Sequence, residues 1–205
     1  MPRGVTTRRP RTRAALLEAA LATFAEHGFH AASIEQICER AGFTRGAYYS
    51  NFASKEELFL ALFDEHGERI VRRLAERIDA LAPEDYTLAG LAGLAARVEP
   101  EERDWYLVSM EFTLHAIRDP QAAWVLARHD ARLRAELARG LELVVRRTGR
   151  ELTVDADRFA RLVVALREGA QAQSYVEPAE LPPGTLERDF LAPLLQAVTR
   201  PAGTD

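Results

Sequence analysis

Apolar residues along this chain recur every three or four positions, and no strand-length segment alternates apolar with polar, so the pattern predicts helices throughout. Leu16, Leu17, Ala20, Leu21 and Phe24 share one face of a first helix that starts near Arg13, and Gly28 supplies the left-handed stop. Ser33 is placed to cap a second helix, with Gln36 completing a capping box and Ile34, Ile37 and Cys38 turned inward; Gly42 ends it. Thr44 caps a short third helix that runs to about Asn51 and is closed by Phe52. A second box, Ser54 with Glu57, starts a long fourth helix carrying Leu58, Leu62, Ile70, Leu74 and Ile78, which Pro83 stops. Tyr48 and Phe52 lie one turn apart and read as core, whereas Tyr49 is one position round and reads as exposed.

Beyond Pro83, prolines punctuate the chain at helix-length intervals, and further helices are expected at about 86–98, 101–118, 121–148, 155–177 and 185–199. Pro193 falls inside the last of these and is expected to kink or split it. Glycine and β-branched residues are sparse, while alanine, leucine, arginine and glutamate dominate, which agrees with an all-α fold. No fixed-period repeat suggests a solenoid.

Composition narrows the class. With 205 residues and 47% hydrophobic content the chain can bury a core. Cys38 is the single cysteine, which excludes an internal disulfide and a multi-cysteine metal cluster. No charged-then-apolar leader opens the chain and no run approaches 18 apolar residues, so a soluble, cytoplasmic protein without membrane contact is expected. The net charge of -4 opposes nucleic-acid binding until it is divided along the chain. Residues 1–55 hold eight basic groups (Arg3, Arg8, Arg9, Arg11, Arg13, Arg40, Arg45, Lys55) against the four acids Glu18, Glu26, Glu35 and Glu39. A basic head on an acidic body is therefore expected, with residues 1–10 as a flexible basic arm.

Two helices separated by a few residues around Gly42 and Phe43 have the lengths of a helix-turn-helix. Residues at the start of a recognition helix reach base edges in the major groove, so Arg45 is placed to donate two hydrogen bonds to guanine and Ala47 to touch a thymine methyl. The run SIEQICERAGFTRGAYYSNFASKEELF at 33–59, with Phe24 to Gly28 before it, resembles the N-terminal domain of the TetR/AcrR family of transcriptional regulators. Carried over residue by residue, the resemblance implies base contacts from Arg45, Gly46 and Ala47. It implies phosphate contacts from Ser33, Thr44, Tyr49, Ser50, Asn51 and Lys55. Hydroxyl, amide and ammonium groups near helix N-termini suit that task.

The resemblance further implies a helix-turn-helix domain over 11–55, joined by the long fourth helix to a helical ligand-binding and dimerisation domain over 56–205. In similar proteins helices four to seven enclose a ligand and the last two form a dimeric four-helix bundle. Two apolar stripes here, Phe159, Leu162, Val163, Leu166 and Ala170, then Leu186, Phe190, Leu194 and Val198, fit either internal packing or such a dimer. A helix-turn-helix head favours the dimer, because paired heads read two half-sites of an inverted-repeat operator.

Between Trp105 and Ile117 apolar residues fall on two sides, one with Trp105, Val108, Phe112 and Ala116, the other with Leu107, Met110, Leu114 and Ile117. Such a helix is expected at the centre of the body, and Trp105, Tyr106, Met110, Phe112 and Trp124 become candidate pocket-lining residues beside their competing reading as plain core. Glu111 and His115, four apart, are placed to orient a polar ligand, to hold a metal or to pair with each other; pairing is the simplest, and no metal or cofactor is assigned. No nucleophile elbow, phosphate loop or HExxH motif is present, so no catalytic residues are named. The sequence thus predicts a repressor released from its operator by a small apolar or aromatic molecule; the alternative is a regulator without such an effector, controlled by a protein partner.

Overall fold

The computed structural model describes residues 8–99 and 102–203, with Arg8 described by its backbone alone. Its helices are α1 (Arg8–His27), α2 (Ile34–Ala41), α3 (Arg45–Tyr49), α4 (Lys55–Asp79), α5 (Leu88–Ala95), α6 (Glu102–Arg118), α7 (Pro120–Arg147), α8 (Ala156–Val176) and α9 (Thr185–Ala197). Two three-residue strands, β1 (Arg150–Leu152) and β2 (Thr199–Pro201), pair antiparallel. The fold is all-α apart from this ribbon.

Local capping explains the helix ends. Ser33 Oγ accepts from Gln36 N at 3.2 Å while Gln36 Oε1 accepts from Ser33 N at 2.8 Å, completing the expected box of α2. Gly42, at φ +71°, closes that helix in the left-handed conformation that favours glycine. Glu57 N donates to Ser54 Oγ at 3.1 Å, but in return the Glu57 carboxylate accepts from Ala53 N, one residue earlier than in a simple box. Asp119 alone separates α6 from α7: its Oδ1 accepts from Gln121 N and Ala122 N, which holds its carboxyl below the usual range, and Pro120 occupies the first helical position.

Helices α1 and α9 differ from expectation. Helix α1 begins at Arg8, so residues 8–10 of the expected arm are helical, and Pro10 is tolerated because first-turn amides need no intrahelical acceptor. The rest of the arm lies outside the described residues. Helix α9 runs unbroken through Pro193 and ends at Ala197, and the residues after it form β2. No described helix is long and apolar enough to cross a membrane.

By contacts the chain divides into two compact units, one taking residues through His66 together with Arg103–His129, the other Gly67–Glu102 and Asp130 onward. The core of the first joins Leu16, Leu17 and Phe24 of α1, Ile37 of α2, Tyr48 of α3, Leu58 and Phe59 of α4, and Val108 and Phe112 of α6. The core of the second joins Ile78, Leu91, Val145, Phe159, Leu191 and Leu195. There Arg167 donates to the carbonyls of Ala95 (2.7 Å) and Arg97 (3.3 Å) and pairs with Glu102 and the buried Glu187. Gly184, at φ +82°, sits so near Ala96 that a Cβ would lie 2.0 Å from its carbonyl oxygen.

Candidate nucleic-acid interface

Helices α2 and α3 meet across Gly42–Thr44, where Phe43 N donates to Cys38 O at 2.9 Å and Thr44 Oγ1 accepts from Ala47 N at 3.2 Å. Tyr48 anchors α3 from below: it is fully buried, and its hydroxyl donates to Ser54 O at 2.9 Å. Burial pushes its phenol well above the ordinary tyrosine range. One position on, Tyr49 is exposed, as the helical spacing predicts. The first turn of α3 presents Arg45 and Gly46 to solvent, with Ala47 half-buried. Arg45 Nη1 lies 2.6 Å from a Glu35 carboxylate oxygen on α2, and its guanidinium carbon lies 5.8 Å from the centre of the Tyr49 ring. The hydroxyl of Tyr49 and the charge of Glu35 raise the Arg45 pKa further.

The other predicted contacts fall into two groups. Ser33 and Thr44 each accept a backbone N–H through the hydroxyl oxygen, which leaves the hydroxyl hydrogen to donate elsewhere. Ser50 Oγ and Asn51 Nδ2 instead both donate to Ala47 O at 2.8 Å. Lys55 is turned away from the α3 hydroxyls: its Nζ donates to the carbonyls of Phe29 (2.6 Å), Ala32 (2.9 Å) and His30 (3.2 Å) in the turn between α1 and α2.

The residues expected to contact a ligand have separate surroundings, and Tyr106 among them is half-buried. Phe112 is 3% exposed and stacks on Phe59 with ring centres 3.9 Å apart, edge-on to Phe29, so it belongs to the core shared with α1 and α4. Glu111 accepts from Phe29 N at 2.6 Å, and the His115 ring packs against His30 and Phe112, so neither depends on the other for a partner. Trp105 stacks on buried His66 at 3.9 Å and packs against Phe63. Met110 is half-buried. Trp124 is 61% exposed, with the Arg128 guanidinium 4.8 Å from its ring. A shallow concavity of about 320 Å³ on α1 and α2 is lined by Thr23, His27, Gln36, Glu39 and Arg40, none of them in that set. Helix α6, expected at the centre of the body, thus buries Val108, Phe112 and Ala116 in the first unit and exposes Leu107, Leu114 and Ile117.

Sequence reasoning missed Glu35 as the partner of Arg45 and Phe29 as the partner of Glu111. The first was findable, since residues 35 and 45 flank a tight helix-turn-helix; the second joins residues 82 apart and leaves no local trace.

Comparison with known proteins places the chain in a family. The profile of bacterial regulatory proteins of the tetR family matches residues 16–62, and that of the BetI-type transcriptional repressor C-terminal domain matches residues 88–196. The HTH-type transcriptional repressor AcnR of Corynebacterium glutamicum is 29% identical over 86% of this chain and 93% of its own. The HTH-type transcriptional regulator UidR of Escherichia coli K12 is 31% identical over 56% of this chain and 57% of its own. The solved structure of Salmonella enterica GusR superposes with a TM-score of 0.69 at 27% identity, covering 94% of this chain and 97% of that one.

Proposed function

The chain belongs to the TetR family of bacterial transcriptional regulators, and from that premise we propose that it is a cytoplasmic repressor that grips an inverted-repeat operator as a homodimer and releases it when a small apolar or aromatic molecule binds. The observation that carries this reading is the first turn of α3, where exposed Arg45 and Gly46 precede Ala47 above the buried anchor Tyr48. In the major groove Arg45 meets guanine O6 and N7, Gly46 permits close backbone approach, and Ala47 touches a thymine methyl. Ser33, Thr44 and Tyr49 take phosphates, while Ser50 and Asn51 brace α3 through Ala47 O. The effector acts on α6, facing Trp105, Met110 and His115. Selection of bound duplexes from a random DNA pool tests the reading: enrichment of an inverted repeat is expected, and a pool that stays random overturns it.

A protein partner in place of the small molecule is favoured by one observation, the exposed apolar residues Leu107, Leu114, Ile117 and Trp124. A panel of apolar and aromatic compounds separates the two. Under the effector reading one compound raises the melting temperature and releases DNA, and it binds the DNA complex more weakly by the factor by which it weakens operator binding. No response from the whole panel leaves the partner reading.

A further inference from the structure

Of the 27 Lys and Arg residues in the chain, only Lys55 is lysine. Its ammonium sits among the carbonyls of Phe29, His30 and Ala32, 4.8 Å from the centre of the Phe29 ring. Three hydrogens on one nitrogen can meet three converging carbonyls; the flat fork of a guanidinium cannot. Lys55 also opens α4, where the positive end of the helix disfavours a cation, so the three acceptors offset an unfavourable placement.

The same turn is held from its donor side. Glu111 of α6 accepts from Phe29 N at 2.6 Å, and both its oxygens lie 3.1 Å from where a Cβ on Gly28 would stand. Gly28 is thus required twice, by its φ of +81° and by the carboxylate against it. A bond from Ala32 N to Gly28 O at 3.0 Å closes the turn, and the next residue, Ser33, caps α2.

We propose that Lys55 and Glu111 are paired positioning residues for operator binding: together they fix the turn at 28–32, and through it the start of α2 and the presentation of α3, and Lys55 is not a phosphate ligand. The proposal rests on the reading of α3 as the recognition helix. It goes beyond that reading by taking Lys55 off the DNA and by giving α6 a direct hold on the DNA-reading unit.

Replacement by arginine separates the roles, because a phosphate contact tolerates Lys55→Arg and a three-carbonyl cup does not. Full-length wild type, Lys55→Arg, Lys55→Met and Glu111→Gln are titrated with the selected operator and a random duplex at several salt concentrations. Amide exchange is followed in the free proteins. Lys55→Arg is expected to lose at least about tenfold in operator affinity with an unchanged salt slope. Exchange at residues 29–33 is expected to quicken in Lys55→Arg and Glu111→Gln while Leu58–Leu62 stay protected. Wild-type binding by Lys55→Arg, with a slope reduced by about one in Lys55→Met, overturns the proposal and returns Lys55 to phosphate. Unchanged exchange in Glu111→Gln overturns the part given to Glu111. If the wild type binds no duplex, the recognition reading has failed, and the exchange data alone decide the pair.

Discussion

Arg45, the proposed base-reading residue, is already paired in the protein alone. Its pair with Glu35 is exposed, with both side chains more than half accessible, and such pairs contribute little to stability, so the pair's consequence lies in orientation. Glu35 engages one guanidinium nitrogen and the Tyr49 hydroxyl also bonds to the guanidinium, while the charge of Glu35 opposes phosphate. Arg45→Ala is expected to lose about tenfold or more in operator affinity and to relax preference at one base pair per half-site. Glu35→Gln is expected to raise affinity for random duplex, narrowing the ratio between specific and non-specific binding. Titration against single-base-pair operator variants checks both, and equal losses on every sequence contradict the role of Arg45. Tyr48 adds a pH dependence. Its folded pKa is raised by burial, so its contribution is fully present below the usual tyrosine value of 10.0 and is lost as pH rises beyond it. The melting temperature is therefore expected to fall above about pH 10, and less steeply in Tyr48→Phe, which itself gives up about 1 kcal/mol with the bond to Ser54. Parallel pH profiles for the two proteins would remove this role.

Helix ends were readable in the sequence because capping is local. Ser33 with Gln36, Thr44, Gly42 and Gly28 sit within a turn of the groups they satisfy. The partner of a buried face was not readable, since periodicity says that a face is covered and not by what. The side of α6 carrying Val108, Phe112 and Ala116 shows how: its apolar spacing suits a ligand-binding body equally well, yet it is packed with Phe29 and Phe59. Strands β1 and β2 escaped for another reason, since three residues are too few to show alternation. The candidate recognition residues were legible from a compact motif, whereas the commitments of Lys55 and Glu111 depend on a turn 23 or more residues away and were not. Phe112→Ala tests the placement of α6. Loss of a buried, stacked ring is expected to cost about 3–5 kcal/mol and to weaken operator binding without any effector. Thermal unfolding with and without operator measures this, and an unchanged melting temperature would return Phe112 to a pocket wall.

At the scale of the whole molecule, residues 1–55 carry a surplus of positive charge in a chain whose net charge is -4, the asymmetry that the proposed DNA-reading head requires. Reading an inverted repeat then requires two heads, and the second unit offers surface for joining two chains. Of the two apolar stripes in the sequence, the structure turns Phe159 and Ala170 inward, leaves Leu162 (47%) and Phe190 (54%) exposed and Leu166 and Leu194 half-buried; outside the stripes, Leu191 and Leu195 of α9 are buried and Val176 of α8 (78%) is exposed. Exposure at helical spacing on α8 and α9 fits a two-fold interface better than internal packing, because the inward side already fills the core. Leu162→Glu combined with Phe190→Glu should therefore separate the protomers without disturbing that core, and their exposure makes these positions a cleaner test than Leu166 and Leu194. Sedimentation at micromolar concentration is expected to give a dimer for the wild type and a monomer for the double variant, with equal helical content by circular dichroism. The monomer should bind a full operator no more tightly than a single half-site, while the dimer should lose most of its affinity when half-site centres are moved off an integral number of helical turns. A monomeric wild type that still binds the inverted repeat tightly would show that α8 and α9 do not join the two heads.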